Sequence, residues 1–244
     1  MNENLKGKNC LITGATGGLG KEIAKEFVNN DCNVFLTGKD TKKLSSLKNE
    51  LENDRGIKIH FKNADLSNTH EIEKLIKEVR TSFSNIDILV NCAGIFPVKL
   101  LSESKIEDFE KCFNINIKAA FILCKEFSQE MVSKKWGRIV NIGSSGAYNG
   151  KKKTIIYRAS KHALLGLSRS LHDELKEYNV RTFCISPGPI KTSMGKEIIE
   201  NENPNERFDS FMNPKEIAEF IVYTISFDNE MVSEEIRINR MIQQ

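Results

Sequence analysis

Short apolar runs alternate with longer amphipathic segments along almost the whole chain, and this alternation limits the possible folds more than any other feature. Residues 9–13 and 86–91 are short and largely apolar, as expected of strands covered on both faces of a sheet. Segments such as 18–29 repeat apolar residues with helical spacing. The alternation predicts an α/β fold, a doubly wound parallel sheet of about seven strands with helices on both faces. The predicted strands are 9–13, 33–37, 57–62, 86–91, 137–143, 180–186 and 234–238, and the predicted helices are 18–29, 42–52, 69–83, 113–133, 154–178 and 214–226.

One stretch interrupts this rhythm. Residues 193–213 are polar and charged, with Asn-Pro-Asn at 203–205. The stretch is too long for a simple connection, so it is a candidate substrate lid, although a disordered insertion fits the pattern as well. No linker divides the 244 residues, and we expect residues 1–244 to form a single dinucleotide-binding and catalytic domain.

Charge and cysteine content exclude several classes of protein. The net charge is only +3, and no basic stripe interleaved with aromatic residues suggests nucleic acid. The run of lysines at 151–153 fits a solvated loop better than a patch for a partner. The six cysteines form no C-x-x-C pair, so we expect no disulfide framework, no metal site and a cytoplasmic location. No apolar run is long enough to span a membrane, and no signal peptide is visible.

A glycine-rich turn, TGATGGLG at 13–20, joins the first predicted strand to the first predicted helix. Glycines at this place allow a phosphate to approach the backbone N–H groups at the start of a helix. The spacing of Gly14, Gly18 and Gly20 differs from the simplest dinucleotide fingerprint, and no Gly-Lys-Ser/Thr follows as in a nucleotide triphosphate loop. Its position after the first strand of a wound sheet favours a dinucleotide.

The end of the second predicted strand bears on the choice of cofactor. Enzymes that use NAD commonly place a carboxylate there for the ribose 2′-hydroxyl. Gly38 stands at the expected position of the acid and Lys39 follows it. A cation at this place favours the 2′-phosphate of NADP(H), so NAD(H) is the less favoured cofactor. Asp40 could still contact a ribose, and a plain surface role for Lys39 also stays open.

Tyr157 and Lys161 lie four residues apart at the start of a predicted helix, about one turn, and therefore share a face. A nearby ammonium favours the phenolate and lowers the pKa of a tyrosine. The pair predicts a tyrosine that exchanges protons near neutral pH. The pattern Y-x-x-x-K is weak by itself, and gains weight from the glycine turn and from the serines at 144 and 145.

Taken together, these motifs resemble the classical short-chain dehydrogenase/reductase family, whose fold is Rossmann-like. The resemblance runs from about Gly7 to Thr192 and rests on several motifs in the family's order. It implies four catalytic residues: Asn116, Ser144, Tyr157 and Lys161. The cofactor-binding residues that it implies, with the strand-end lysine added, are Gly14, Thr16, Gly17, Gly18, Leu19, Gly20, Lys39, Asp65, Leu66, Asn91, Ala93, Gly94, Tyr157, Lys161, Pro187, Gly188, Ile190 and Thr192.

The resemblance also implies a role for each catalytic residue. Tyr157 would exchange a proton with the substrate oxygen, and Ser144 would orient the carbonyl. Lys161 would hold the nicotinamide ribose and lower the tyrosine pKa, while Asn116 would position a water that links Lys161 to solvent. The function implied is NADP(H)-dependent hydride transfer between nicotinamide and a carbonyl or secondary alcohol.

Among members of the family, the chain most resembles 3-oxoacyl-acyl-carrier-protein reductases of fatty acid biosynthesis. An acidic carrier would favour cations near the mouth of the site. Lys135 stands where those reductases carry a basic residue for the carrier, but Tyr178 occupies their second such position. The tail at 233–244 also lacks their T-G-Q and V-D-G-G motifs. A dehydrogenase acting on other ketones or hydroxy compounds, or a non-catalytic NADP-binding sensor, are the alternatives.

The helices predicted over 113–133 and 154–178 resemble the pair that builds a four-helix bundle between subunits in this family. The apolar area of such an interface would come from Phe121, Phe127 and Met131, although all three could instead be buried in the core of their own chain. We expect a homotetramer, with a dimer as the alternative.

Overall fold

The computed structural model describes residues 4–52, 55–202 and 207–241. Their strands form one parallel sheet of seven strands in the order β3-β2-β1-β4-β5-β6-β7, which confirms the predicted Rossmann-like architecture. The bounds of the strands are β1 Asn9–Thr13, β2 Asn33–Gly38, β3 Ile59–Asn63, β4 Ile88–Asn91, β5 Gly137–Ile142, β6 Val180–Pro187 and β7 Glu235–Ile238.

Helices connect the strands and cover both faces of the sheet. Their bounds are α1 Gly18–Asn29, α2 Thr41–Leu51, α3 Thr69–Ser82, α4 Ile106–Phe113, α5 Ala119–Lys134, α6 Ile155–Leu175, α7 Ser193–Glu202 and α8 Pro214–Ser226. The predicted and observed bounds of most elements agree within two residues. The prediction was wrong around residue 113, where α4 ends and a π-helix over Asn114–Lys118 leads into α5. Apolar periodicity does not reveal a π-turn, because the backbone widens without interrupting the apolar pattern.

Alternating residues of the central strands point into two cores. In β1, Cys10 and Ile12 join the core beneath α1 and α8, whereas Leu11 joins the core beneath α3 and α5. Phe27 of α1 and Phe127 of α5 are completely buried on these opposite faces. The apolar runs in the sequence therefore reflect burial from both sides.

The strand order reverses between β1 and β4, and the cleft opens at the carboxyl edge of the sheet at this point. Thr13 at the end of β1 joins the two halves there. Its hydroxyl accepts hydrogen bonds from the N–H groups of Cys92 at 3.0 Å and Ala93 at 3.1 Å. Cys92 follows β4 directly and is partly buried.

The segment proposed as a lid contains the helix α7. Ser193, Met194 and Gly195 at its start line the cleft. The Asn-Pro-Asn at 203–205 lies outside the described residues. In the part of the chain that the structure describes, no helix is long and apolar enough to cross a membrane.

Candidate active site

The glycine turn between β1 and α1 presents backbone N–H groups to the cleft. Gly17 N–H donates to the carbonyl of Gly14 at 2.9 Å, and the helix begins at the next residue. The first N–H groups of a helix have no partner within the helix. Here no side chain caps them, and the first turn carries no acidic residue. This helix end therefore suits an anionic group such as a pyrophosphate.

The glycines of the turn are required by close approaches of the backbone. Gly14 has a φ of +65°, and a Cβ there would lie 2.8 Å from backbone atoms of Ala93. A Cβ on Gly20 would lie 2.2 Å from the carbonyl oxygen of Gly14. A side chain at either position would force the turn to open. The cleft of about 570 Å³ that starts at this turn has a floor of bare backbone, which fits an extended dinucleotide.

Charged side chains stand where the adenosine half of such a dinucleotide would end. The Lys39 ammonium is 2.7 Å from the carboxylate of Asp65, and both side chains are partly exposed. Burial alone would raise the pKa of Asp65, but the ion pair with Lys39 and hydrogen bonds from Ser67 outweigh it and lower the pKa to about 2. Asp40 caps α2 by accepting a hydrogen bond from the N–H of Lys43 at 3.1 Å. The capping role keeps one oxygen of Asp40 on the helix end.

At the other end of the cleft Tyr157 and Lys161 share one face of α6, as their spacing predicts. Lys161 Nζ lies 5.8 Å from the centre of the Tyr157 ring and donates to the carbonyl of Ile142 at 2.7 Å. Burial lowers the pKa of Lys161, and the thiols of nearby cysteines oppose this effect only in part. Phe96 packs edge-on against Tyr157 with ring centres 4.5 Å apart. The tyrosine thus packs against an aromatic ring and lies near a buried cation.

Asn116 is fixed by the backbone rather than exposed to the cleft. Its carbonyl oxygen accepts from Ile95 N–H at 2.9 Å, and its amide group donates to Ile95 O at 3.1 Å and to Ser160 Oγ at 2.9 Å. Asn116 lies in the π-helix. A Cβ on Gly94 would lie 3.4 Å from Asn116 Oδ1 and 3.8 Å from Lys161 Nζ. Both side chains therefore lie close to Gly94, which has no side chain of its own.

Ser144 follows β5 at the same end of the cleft. It caps the short helix Ser145–Tyr148, and its hydroxyl accepts a hydrogen bond from the N–H of Gly146 at 3.0 Å. An acceptor used in this way leaves the hydroxyl proton available to a carbonyl in the cleft. The neighbouring Ser145 also lines the cleft.

The structure brings nearly all of the predicted site residues to one cleft. Asn116 lies behind its wall, and Asn91 points away: its amide donates to Asn141 at 2.8 Å inside the core. The Asn91 side chain therefore holds β4 against β5, and only its backbone remains for a cofactor. The predicted residues that line the cleft are Gly14, Thr16, Gly17, Gly18, Leu19, Gly20, Lys39, Asp65, Leu66, Ala93, Gly94, Ser144, Tyr157, Lys161, Pro187, Gly188, Ile190 and Thr192.

Some cleft residues were missed by the sequence analysis. Phe96, Lys151 and Arg158 line the cleft at its catalytic end. Arg158 follows the predicted catalytic tyrosine directly, so the motif itself carried a signal that was not used. Phe96 lies in a segment without regular structure and gave no periodic signal.

Lys135 does not stand at the mouth of the cleft. It ends α5 and precedes β5, which places it at the amino edge of the sheet. The cleft is at the carboxyl edge, so within one chain the expectation of a carrier contact beside the cleft is wrong for this residue. Among the described residues, no group of three or more His, Cys, Asp or Glu side chains is placed to hold a metal ion.

Comparison with known proteins agrees with this geometry. A family model described as short chain dehydrogenase matches residues 8–203. The 3-oxoacyl-[acyl-carrier-protein] reductase FabG of Aquifex aeolicus is 31% identical over 230 residues, covering 93% of each chain. The FabG of Rickettsia typhi is 34% identical over 221 residues, covering 91% of this chain and 88% of that protein. A metagenomic short-chain oxidoreductase solved in complex with NADP is 25% identical, with a TM-score of 0.84 and coverage of 98% and 100%. The chain therefore belongs to the short-chain dehydrogenase family, a family of oxidoreductases.

Proposed function

We propose that the protein is an NADPH-dependent reductase that converts a ketone to a secondary alcohol. The observation that carries this proposal is that Tyr157, Ser144 and the buried ammonium of Lys161, 5.8 Å from the tyrosine ring centre, line one continuous cleft with the glycine turn. A bound NADPH would supply the hydride. The chain itself has to bind the cofactor, orient the carbonyl and donate a proton.

Each step falls to a residue already fixed by the fold. The Ser144 hydroxyl donates to the substrate oxygen, since its lone pair is engaged by Gly146 N–H. Tyr157 gives its proton to the same oxygen as negative charge develops there. The Lys161 cation stabilises the phenolate that remains, and its hydrogen bond to the carbonyl of Ile142 holds it in place. Asn116 supports this arrangement through its bonds to Ile95 and Ser160.

NADPH is favoured over NADH by the charges at the adenosine end. Lys39 follows β2, where the ribose 2′ position is expected, and no carboxylate occupies the strand end at Gly38. The one acid nearby on the same loop, Asp40, is engaged at the start of α2. The solved relative that carries NADP supports the same choice.

A 3-oxoacyl thioester is the first substrate class to test. Support comes from the curated relatives named as 3-oxoacyl-[acyl-carrier-protein] reductases. Only the reacting carbonyl and the adjacent atoms of the acyl chain would enter the cleft at Ser144. The carrier protein that bears the acyl chain would remain outside. Lys135 offers no support for carrier docking at the mouth of the cleft in its own chain.

The proposal is tested by following NADPH oxidation with acetoacetyl-CoA, acetoacetyl-N-acetylcysteamine and a panel of simple ketones. We expect turnover of at least one carbonyl compound with NADPH and slower turnover with NADH. Tight NADPH binding without turnover of any compound would contradict the proposal and indicate a sensor. Retention of turnover in Ser144→Ala at the wild-type rate would remove that residue from the mechanism.

We also propose that the protein forms a homo-oligomer through α5 and α6. Phe121 is 51% exposed on α5, so it offers apolar area that a second subunit would cover. The other two residues considered for this interface, Phe127 and Met131, are fully buried in the chain's own core and contribute nothing to it. Light scattering of the wild type and of Phe121→Lys tests this: we expect an oligomer for the first and weaker association for the second. A monomeric wild type would contradict the proposal.

A further inference from the structure

Arg158 is a cation in the cleft that the proposed reaction does not use. It follows the catalytic tyrosine on α6, and its side chain is half-buried at the wall of the cleft. A Cβ built on Gly146 would lie 3.2 Å from Ser144 Oγ and 3.5 Å from Arg158 Nη1. The guanidinium and the serine that meets the carbonyl are therefore close neighbours on the same side of the cleft.

The guanidinium is held in place without being neutralised. Its Nε donates to Thr154 Oγ1 at 2.8 Å, and its Nη1 donates to the backbone and side-chain oxygens of Asn149. Within the described residues no carboxylate pairs with Arg158, and its Nη2 group makes no hydrogen bond. A fixed guanidinium with one remaining pair of donors is suited to an anionic oxygen.

The charges along the cleft are divided between its two ends. The acids among the described lining residues, Asp40 and Asp65, both stand at the adenosine end. The catalytic end has Arg158 and Lys161 in its lining and no acid among its lining residues. A cleft end that is lined by cations and has no acid favours a negatively charged ligand.

We propose that Arg158 forms a subsite for a carboxylate that the substrate carries a few bonds from its reacting carbonyl. This inference rests on the proposed reductase function, but it makes an oxo acid the expected substrate in place of a 3-oxoacyl thioester, which has no carboxylate near its ketone. A carrier's phosphopantetheine phosphate has the same charge, but it lies a long chain of bonds away from the thioester carbonyl. The short path from Ser144 through Gly146 to Arg158 fits a nearby carboxylate instead.

Binding to the enzyme–NADP⁺ complex tests this subsite separately from turnover, because the oxidised cofactor has no hydride to give. The ligands are acetoacetate, 4-oxopentanoate and 5-oxohexanoate, each paired with its methyl ester and titrated by calorimetry. We expect at least one acid to bind about 10- to 100-fold more tightly than its ester, as a charged hydrogen bond would provide. Arg158→Met should abolish this preference while ester binding stays, and Arg158→Lys should keep part of it.

A purely structural Arg158, one that only fastens residues 149–154 to α6, would give a different pattern. Asn149→Ala removes a loop partner of the guanidinium but leaves its charge in place. We expect this control to retain the preference for the acid. Loss of the preference in Asn149→Ala to the same extent as in Arg158→Met would overturn the proposal.

Three further outcomes would overturn it as well. These are equal binding of acids and esters by the wild type, no binding of any acid, and an acid preference that persists in Arg158→Met. A charge preference seen only between acetoacetyl-CoA and acetoacetyl-N-acetylcysteamine would assign the cation to remote phosphates and overturn it too. Acid binding that depends on Arg158 in a protein without NADPH turnover would support the subsite and contradict only the reductase function.

Discussion

The two ends of the cleft are built in opposite ways. At the catalytic end, Lys161 is 6% exposed and bonded to a backbone carbonyl, and Asn116 is bonded to both backbone groups of Ile95. At the adenosine end, Lys39 is 60% exposed and its partner Asp65 is 31% exposed. The first end depends on neutral backbone partners inside the protein, and the second depends on an ion pair at its surface.

The catalytic end therefore has a geometry that the fold fixes, whereas a bound ligand can replace the contacts at the adenosine end. Buried polar groups lose a large interaction when a partner is removed, because water does not replace it. A surface ion pair contributes little, since water and salt compete with it. We therefore infer that the catalytic end is preformed and that Lys39 can leave Asp65 for a 2′-phosphate at small cost.

The largest effect is expected from Tyr157→Phe, which removes one hydroxyl at the preformed end. Loss of a general acid lowers kcat about 10²- to 10⁴-fold. The ring and its contact with Phe96 remain, so the dissociation constant of NADPH should stay near the wild-type value. Steady-state kinetics and NADPH fluorescence check both parts. A kcat near the wild-type value would show that Tyr157 does not donate the proton, and it would contradict the proposed role of the preformed catalytic end.

Asn116→Ala should come next, as a loss of stability together with a loss of activity. The substitution leaves Ile95 N–H and Ile95 O without the side chain that pairs them and removes one hydrogen bond of the buried Ser160, which still donates to Tyr157 O. We expect a fall in the free energy of unfolding of about 1–3 kcal/mol, measured by urea denaturation. The matched control is Asn114→Ala in the same π-helix, whose side chain makes no hydrogen bond to a described residue. Equal losses in the two variants would show that the network adds nothing.

The same contrast explains which features the sequence could predict. Residues of the preformed end recur in motifs with fixed spacing, so Tyr157, Lys161 and Ser144 were placed in the cleft from the sequence. Their supports were not predicted, because backbone partners such as Ile142 O and Ile95 N have no side-chain signature. The ion pair between Lys39 and Asp65 joins the end of β2 to the segment after β3. No local sequence pattern specifies a pair of residues that lie so far apart in the chain.

Other misses have their own physical reasons. Phe121 and Phe127 are both apolar residues of α5, and their spacing alone did not show that one faces solvent and the other the core. Lys135 was expected near the mouth of the cleft, but its place just before a strand puts it at the opposite edge of the sheet. Which edge a residue occupies follows from strand direction once the sheet is assembled.

Lys39→Glu tests the adenosine end of the cleft and should have a moderate effect on the affinity for NADPH. The substitution replaces the cation proposed for the 2′-phosphate by an acid, so we expect NADPH affinity to fall about 10-fold or more with little change for NADH. Lys42→Glu makes the same charge change on α2, outside the residues that line the cleft. Fluorescence titration of both variants with NADPH distinguishes a direct contact of Lys39 with the 2′-phosphate from a general electrostatic effect of the lost positive charge. Equal losses in the two variants would assign the preference to overall charge.

The smallest effect is expected for the ion pair of Lys39 and Asp65 itself. The folded protein lowers the pKa of Asp65 from 3.8 to about 2, so its contribution to stability is present above about pH 4 and is lost as the pH falls toward 2. Both side chains are partly exposed, and we expect a coupling of less than about 1 kcal/mol at pH 7. A double-mutant cycle of Lys39→Gln and Asp65→Asn, measured by urea denaturation at pH 7 and near the folded pKa of Asp65 at about pH 2–3, gives this value directly. The coupling should shrink at the lower pH. A coupling as large as the loss expected for Asn116→Ala would mean that both ends of the cleft are equally fixed, because a strong ion pair would then hold Lys39 away from a cofactor phosphate.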